Sequence, residues 1–483
     1  MGSSASKVPS QETPVPRTSL NEKRVDVQEV VSALSSLSLR GPKSATGTLT
    51  SSAIEDWESQ ISANPKLQLT RTILNHTNIQ DVLQNRAARI ANQHVFNTEV
   101  EFKTGPITNQ KSSGRCWLFA STNSYLFFWD KLNKSNYFLE NTIELADQPI
   151  DDRLVNYLSG DLISDGGQWD MVVNLVETYG LVPQSVFPES FHSSLSGPIN
   201  TLLKSKLREQ SLILRSLKSS LRASSSLSEE AIIASLRSKK EELMKEIYTI
   251  VSAVLGVPPS ADEKFSYDFY DKDGNAGHWE GTPKDFYRTV AVDKYSPSDS
   301  FSLINDPRND YGKLYTVERL GNIWGGRSVL YVNTEIADLK NAVVKMLKAG
   351  QPVFFGCDVG KFSDRDAGIM DPALFEYESA FDITLGLTKA DRLRVNESSM
   401  THAMVISGVH LDAAGAPIRY KVENSWGETA GEKGYFVMTD AWFEQFVYQV
   451  VVPKAFAPKE LVKVYEADER IVLPAWDPMG SLA

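Results

Sequence analysis

Reactive chemistry is most concentrated in Pro106–Trp117, Pro-Ile-Thr-Asn-Gln-Lys-Ser-Ser-Gly-Arg-Cys-Trp, where a polar loop delivers Cys116 to the start of the apolar run Leu118–Trp129. So apolar a run predicts a buried helix. Unpaired N–H groups and the dipole at a helix start stabilise an anion, so a thiol held there ionises more readily than a free one. Six residues upstream, Gln110 is placed to swing its carboxamide back over the loop. There it would donate, together with the Cys116 backbone N–H, to the oxyanion of a tetrahedral intermediate. A lone cysteine is more often a small buried hydrophobe than a catalyst, so the reading turns on partners further along the chain.

Two partners stand out: His402 in Thr-His-Ala-Met-Val-Ile-Ser-Gly-Val, and Asn424 in Val-Glu-Asn-Ser-Trp-Gly. Ala403–Ile406 reads as a buried strand, which puts His402 at its start beside a cleft and His410 at its far end, pointing away. In such a pair the imidazole takes the thiol proton, the two charges stabilise each other, and the imidazolium later protonates the leaving amine. Asn424 is expected to accept the second ring N–H, with Trp426 covering that bond from water. The other cysteine, Cys357, sits in an apolar run and reads as structural.

Gln110, Cys116, His402 and Asn424, in that order and with the Asn in Asn-Ser-Trp-Gly, resemble the papain-like cysteine peptidases. One departure is clear. The papain signature Cys-Gly-Ser/Ala-Cys-Trp/Tyr reads here Ser113-Gly114-Arg115-Cys116-Trp117. Ser164 stands where the resemblance implies the disulfide partner, just before Gly166-Gly167, the pair whose backbone that family offers to substrate. A papain-like fold without its bridge suits a reducing compartment. The longer matches, Gln110–Ala120, Asp165–Trp169 and the tail Leu-Pro-Ala-Trp-Asp-Pro-Met-Gly-Ser-Leu-Ala ending at Ala483, are similar to the bleomycin hydrolase family, cytosolic cysteine aminopeptidases.

The resemblance implies an α+β papain-like fold: a helical lobe plus an antiparallel β-barrel-like lobe, a large mostly helical insertion, and a C-terminal arm. The boundaries expected are a flexible tail at 1–52, a helical lobe at 53–195 carrying Cys116, an inserted helical and oligomerisation region at 196–340, a β lobe at 341–465 carrying His402 and Asn424, and an arm at 466–483 lying in the cleft. Cys116 and His402 lie 286 positions apart, against roughly 130 to 150 in papain, which is why an insertion is expected. The implied role of the arm is to fill the non-primed side, its Ala483 carboxylate meeting the substrate ammonium. Gly166 and Gly167 would add contacts blind to side-chain identity. The activity implied is broad aminopeptidase action on peptides with a free N-terminus, and on amides such as bleomycin. A cytoplasmic homohexamer and no metal or organic cofactor complete that expectation.

Composition fits this picture. The chain has 483 residues, 41% hydrophobic and 23% charged, and two cysteines, too few for a disulfide framework. No apolar run approaches the roughly 20 residues that span a bilayer. Met1-Gly2-Ser3-Ser4-Ala5-Ser6 fits the minimal myristoylation pattern, and a single acyl chain at Gly2 would anchor only marginally. The net charge of −11 disfavours nonspecific nucleic-acid binding by the whole surface. One basic amphipathic helix at 202–222 keeps open a nucleic-acid-binding regulator on a peptidase fold, beside the blander reading of a solvated face. An acyl transferase also stays open, because its first half-reaction is the same. His278, near Asp271 and Asp273 but with no second histidine at ligand spacing, reads as part of a loop over 268–292.

Overall fold

The computed structural model describes residues 47–101, 107–119, 124–224, 227–271, 273–291 and 296–482. Gly2, Ala483 and all of the expected tail up to residue 46 lie outside the described residues.

The chain divides after Thr77 into two compact units. In the first, helices Ser51–Ser62 and Pro65–Leu74 each begin at a side chain that satisfies a free backbone N–H. Thr50 accepts from Ala53, and Asn64 accepts from Lys66 and Leu67. Arg71 joins the two helices through bonds of 2.7 and 2.9 Å to Glu58. The second unit, from Asn78 onward, holds all the residues singled out for chemistry.

Its frame is a sheet of twelve strands among the described residues. At the centre, Val353–Cys357 lies between Val447–Pro453 and His402–Leu411, antiparallel to both. Beyond His402–Leu411 come Pro417–Glu423 and Tyr435–Thr439; beyond Val447–Pro453 come Ser300–Ile304, Tyr331–Asn333, Lys313–Val317 and, at that edge, Arg470–Leu473. Successive residues of a strand face opposite ways, so one strand feeds two cores. Phe354, Ala403, Tyr448 and Val451 join the cluster that contains Cys116, Trp117 and Tyr125. Phe355, Met404, Val447 and Val450 join the other. Helices Ile336–Lys348, Asp440–Phe446 and Lys459–Ala467 cover that second face with Leu339, Val343, Trp442, Phe443 and Leu461. Cys357 lies in the second core, on the face opposite Cys116.

The helical lobe is organised by Ser124–Glu144, which packs against Trp169–Tyr179 and against the helix pair Gly197–Ser224 and Glu229–Leu255. That pair opens the insertion and supplies most of its regular structure. Leu203, Leu207 and Leu214 from one helix and Leu236, Leu243 and Ile247 from the other are buried together, at the three- and four-residue spacings of a helix face. The insertion then turns to strands, and three of them widen the main sheet. Within the stretch 268–292, expected to be a loop, residues 268–270 and 276–281 belong instead to an antiparallel hairpin, Phe265–Tyr270 with Ala276–Gly281, and 283–291 form helix Pro283–Ala291. Asp271 makes the hairpin turn by accepting from the N–H groups of Asp273 and Asn275, with Gly274 at φ +84°. His278 sits on that hairpin, 2.6 Å from Asp268.

The basic helix keeps its charges to itself. Lys204 meets Asp161, Lys206 meets Glu209 and Glu246, and Arg222 meets Asp147 and Glu229. Arg208 donates to the carbonyls of Ser159 and Gly160, the last residues of helix Arg153–Gly160. Arg215 and Lys218 donate to Leu145 and Ile143 at the end of Ser124–Glu144. Cations on the unpaired carbonyls of helix C-termini are stabilising there. The face that suggested a nucleic-acid partner therefore tethers neighbouring helices.

Helix Trp169–Tyr179 ends at Gly180, with φ +74° and ψ −158°, conformational space that is nearly glycine-only. A Cβ there would sit 2.2 Å from the backbone of Pro283. Gly180→Ala should lower stability by about 1–3 kcal/mol from backbone strain, with a further cost from the clash. Urea unfolding, monitored against the wild type, checks this.

Candidate active site

Three segments far apart in the chain converge at one point between the helical lobe and the sheet. Cys116 opens a helical turn, Cys116–Phe119, and is 1% exposed. His402 is the first residue of its strand, and Asn424 directly follows strand Pro417–Glu423 on the neighbouring position in the sheet. His402 Nε2 lies 2.9 Å from Asn424 Oδ1, which leaves Nδ1 for the thiol. The Ala403 N–H donates to Cys116 Sγ at 3.4 Å. Trp426 lies beside the imidazole with ring centres 5.1 Å apart, and the Arg365 guanidinium lies over the Trp426 ring, 5.3 Å from its centre.

Burial dominates the electrostatics and opposes both charges. It pushes the Cys116 thiol up, but the charge of His402, a hydrogen bond to it, and the N–H groups of Ala403 and Trp117 outweigh burial and hold the thiol below its ordinary value. Burial likewise pulls His402 down, and the charge and hydrogen bond of Cys116, with the bond to Asn424, raise it above the ordinary imidazole value. Both shifts favour thiolate and imidazolium together. Cys357 goes the other way: burial, then Asp358 and Cys116, push it well up, so it stays an inert thiol.

Gln110 is locked to the same assembly. Its Oε1 accepts from Ser425 Oγ at 2.6 Å, its Nε2 donates to the Ser113 carbonyl at 2.9 Å, and its backbone N–H donates to the Ser425 carbonyl at 2.8 Å. The Asn-Ser-Trp-Gly turn is thereby stitched to the loop before Cys116. Gly427, at φ +79°, makes the fit possible, because a Cβ there would lie 2.5 Å from Asn109 Nδ2. With one Nε2–H on Ser113, the Gln110 carboxamide has a second N–H able to donate.

Gly166 and Gly167 sit behind the nucleophile loop. The Gly166 carbonyl is held by Lys134 at 2.7 Å and its N–H by Ser164 at 3.3 Å, so the protein itself engages the backbone of Gly166, the first of the two glycines expected to meet substrate. At Gly167 a Cβ would lie 2.5 Å from the Trp117 ring, so a side chain is excluded by packing alone.

The arm is a folded element. After strand Arg470–Leu473, Trp476 is stacked beneath Arg153 at 3.7 Å, Asp477 pairs with Arg308 at 2.8 Å, and Met479 is buried. Ser481 then bridges the two walls of the site. Its carbonyl accepts from Gln168 Nε2 at 2.7 Å on the helical side, and its Oγ donates to the Met400 carbonyl at 2.9 Å, two residues before His402. Leu482 packs against the core that contains Cys116. Ala483 lies outside the described residues.

Sequence reasoning passed over Ser425, Gln168 and the Ala403 N–H, and also Lys131 and Lys134, which are buried beneath the Cys116 loop. Two lysines three positions apart on a helix too apolar to face solvent were the available signal.

Residues 48–480 match the family model described as Peptidase C1-like family. The chain is 42% identical to aminopeptidase C of Streptococcus thermophilus over 443 residues, covering 87% of this chain and 96% of that protein. It is 41% identical to cysteine proteinase 1, mitochondrial, of Saccharomyces cerevisiae over 475 residues, covering 92% and 96%. It is 40% identical to bleomycin hydrolase of Rattus norvegicus over 452 residues, covering 88% and 96%. Among solved structures, PepW from Lactobacillus rhamnosis HN001 superposes with a TM-score of 0.85 at 41% identity, covering 90% of this chain and all of that one. The α+β fold class is thus common to both.

The pair exists in its reactive form above the lowered thiol value and below the raised imidazole value. Asn424→Ala removes one of the interactions that raise His402, so the alkaline limb of kcat/KM should move to lower pH. A hydrogen bond to a charged group contributes about 1.5–3 kcal/mol, so kcat/KM at neutral pH should fall about tenfold to a hundredfold. An unmoved alkaline limb would separate Asn424 from the ionisation of His402.

Proposed function

The chain belongs to the Peptidase C1-like family, and from that footing we propose that it is a cysteine aminopeptidase of broad specificity that works through an acyl-enzyme on Cys116. The thiolate Sγ attacks the first peptide carbonyl, forming a C–S bond, while Gln110 Nε2–H and the Cys116 N–H stabilise the oxyanion. His402 gives its proton to the amine as the C–N bond breaks. Neutral again, it takes a proton from water, which attacks the thioester and releases the N-terminal residue. Asn424 keeps the ring in plane for both transfers.

The observation that carries the exopeptidase part is the arm. Ser481, bonded to Gln168 on one wall and to Met400 on the other, supports a cleft closed on the side where a longer N-terminal extension would lie. A substrate amine then has to stop against the arm, and the enzyme counts residues from that end. An amide bearing a free α-amine, as in bleomycin, fits the same rule. The reading extends to a cytoplasmic homohexamer, supported by large apolar side chains left exposed on this chain, among them Phe191, Tyr270 and Val395. Light scattering of the purified protein measures that directly.

The decisive comparison is an aminoacyl fluorogenic amide against its N-acetylated twin, with Cys116→Ala as the blank. One enzyme is intact; the other ends at Gly480, which keeps buried Met479 in place. The intact enzyme should cleave only the free-amine substrate, and the shortened one should gain activity on the acetylated amide. If both enzymes treat the substrates alike, the arm is not the ruler and the exopeptidase reading fails.

A further inference from the structure

Beneath the Cys116 loop lies a buried ionic network that the mechanism above does not use. From helix Ser124–Glu144, Lys131 reaches Asp165 Oδ1 at 2.6 Å and the Ile163 carbonyl at 2.6 Å, and is fully buried. Lys134 pairs with Asp130 at 2.7 Å and donates to the carbonyls of Ser164 and Gly166 at 2.8 and 2.7 Å. Two side chains of one helix therefore grip the whole run 163–166. Asp165 passes the grip on: its carboxylate accepts from the Gly114 N–H at 3.2 Å, from Asn200 at 2.8 Å and from Ser196, and its carbonyl accepts from Trp117 Nε1 at 2.6 Å. Gly114 and Trp117 flank Cys116. The two loops touch with no room to spare, since a Cβ on Gly114 would lie 3.2 Å from Asp165 Cβ, and one on Gly167 would strike the Trp117 ring.

The papain-like resemblance implies a disulfide at the positions of Ser113 and Ser164, which bracket this contact. We propose that the Lys131–Asp165 and Lys134–Gly166 interactions act as the ionic counterpart of that cross-link, with Lys131, Lys134 and Asp165 as positioning residues that fix the nucleophile loop against the Gly166–Gly167 segment. The proposal rests on the aminopeptidase reading for its substrate. It assigns these residues to holding Cys116 in register with the bound peptide, and leaves the pairing of Cys116 with His402 to the contact between lobes. Buried charges suit this task because their partners cannot exchange for water, and their energy is little screened by salt. The Asp165 carboxyl is held below its ordinary value because Lys131, Ser196 and Asn200 outweigh burial, which agrees with a carboxylate committed to its partners.

The separation of roles gives the test, in the full-length protein. Asp165→Asn and Lys134→Met each break one strand of the tie. Each strands a charge that can neutralise itself, because burial lowers Lys131 and raises Asp130. Should either variant fail to fold, Lys131→Met combined with Asp165→Asn removes both charges together. Two readouts are compared: alkylation of Cys116 by iodoacetamide across pH, which needs only the thiolate–imidazolium pair, and kcat/KM for an aminoacyl amide, which needs thiolate and bound peptide in register. The expected result is an alkylation profile within about twofold of wild type with turnover lowered at least about tenfold, since small misplacements of a reacting pair carry costs of this size. Parallel loss of both readouts would mean a general structural role and overturn the proposal, as would turnover equal to wild type. An inactive wild type that still alkylates normally would instead count against the aminopeptidase reading.

Discussion

Burial works against both charged groups at the centre of this molecule, Cys116 and His402, and the main force that favours their charged forms is the opposite sign each supplies to the other. Everything else in the fold can be read as keeping that mutual arrangement intact. The cysteine comes from a helix start and the histidine from a strand start, so the pair exists only if the helical lobe and the sheet stay docked. The Asn-Ser-Trp-Gly turn contributes on both sides: Asn424 orients the imidazole while Ser425 grips Gln110 on the thiol loop. The turn is thus a clasp between lobes as well as the source of the imidazole's hydrogen-bond partner.

The residues that converge at the site were legible because each sits in a short local pattern. A polar glycine loop running into an apolar helix marks Cys116, and a buried strand marks its first residue, His402. What could not be read is whatever depends on backbone carbonyls. Lys131, Lys134, Arg208, Arg215 and Lys218 find their partners largely among main-chain oxygens of distant segments, and a sequence shows no signal for an exposed carbonyl. For the same reason the hold of Lys134 and Ser164 on the Gly166 backbone carries no sequence signal. The hairpin at 265–281 was hidden by its glycines and polar residues, which masked the alternation of Tyr267, Phe269 and Trp279.

The insertion and the arm change what the sheet is for. Strands Ser300–Ile304, Lys313–Val317 and Tyr331–Asn333 from the insertion widen it, and Arg470–Leu473 of the arm adds in parallel to Lys313–Val317. The arm is therefore seated on a platform made by the insertion, and Tyr331 even donates to the Met479 carbonyl near its tip. The narrowing of the cleft and the enlargement of the fold belong to one structural change.

The internal use of the basic helix has a consequence for encounter kinetics. The formal charge is −11, and the cations of the basic helix are tied to carboxylates and helix ends within the fold, so the net field reaching solvent is negative. Such a field draws in cationic peptides and slows acidic ones before any contact is made, and it fades over a Debye length of about 8 Å at physiological salt. Capture should thus respond to ionic strength, while the sealed thiolate and imidazolium should not.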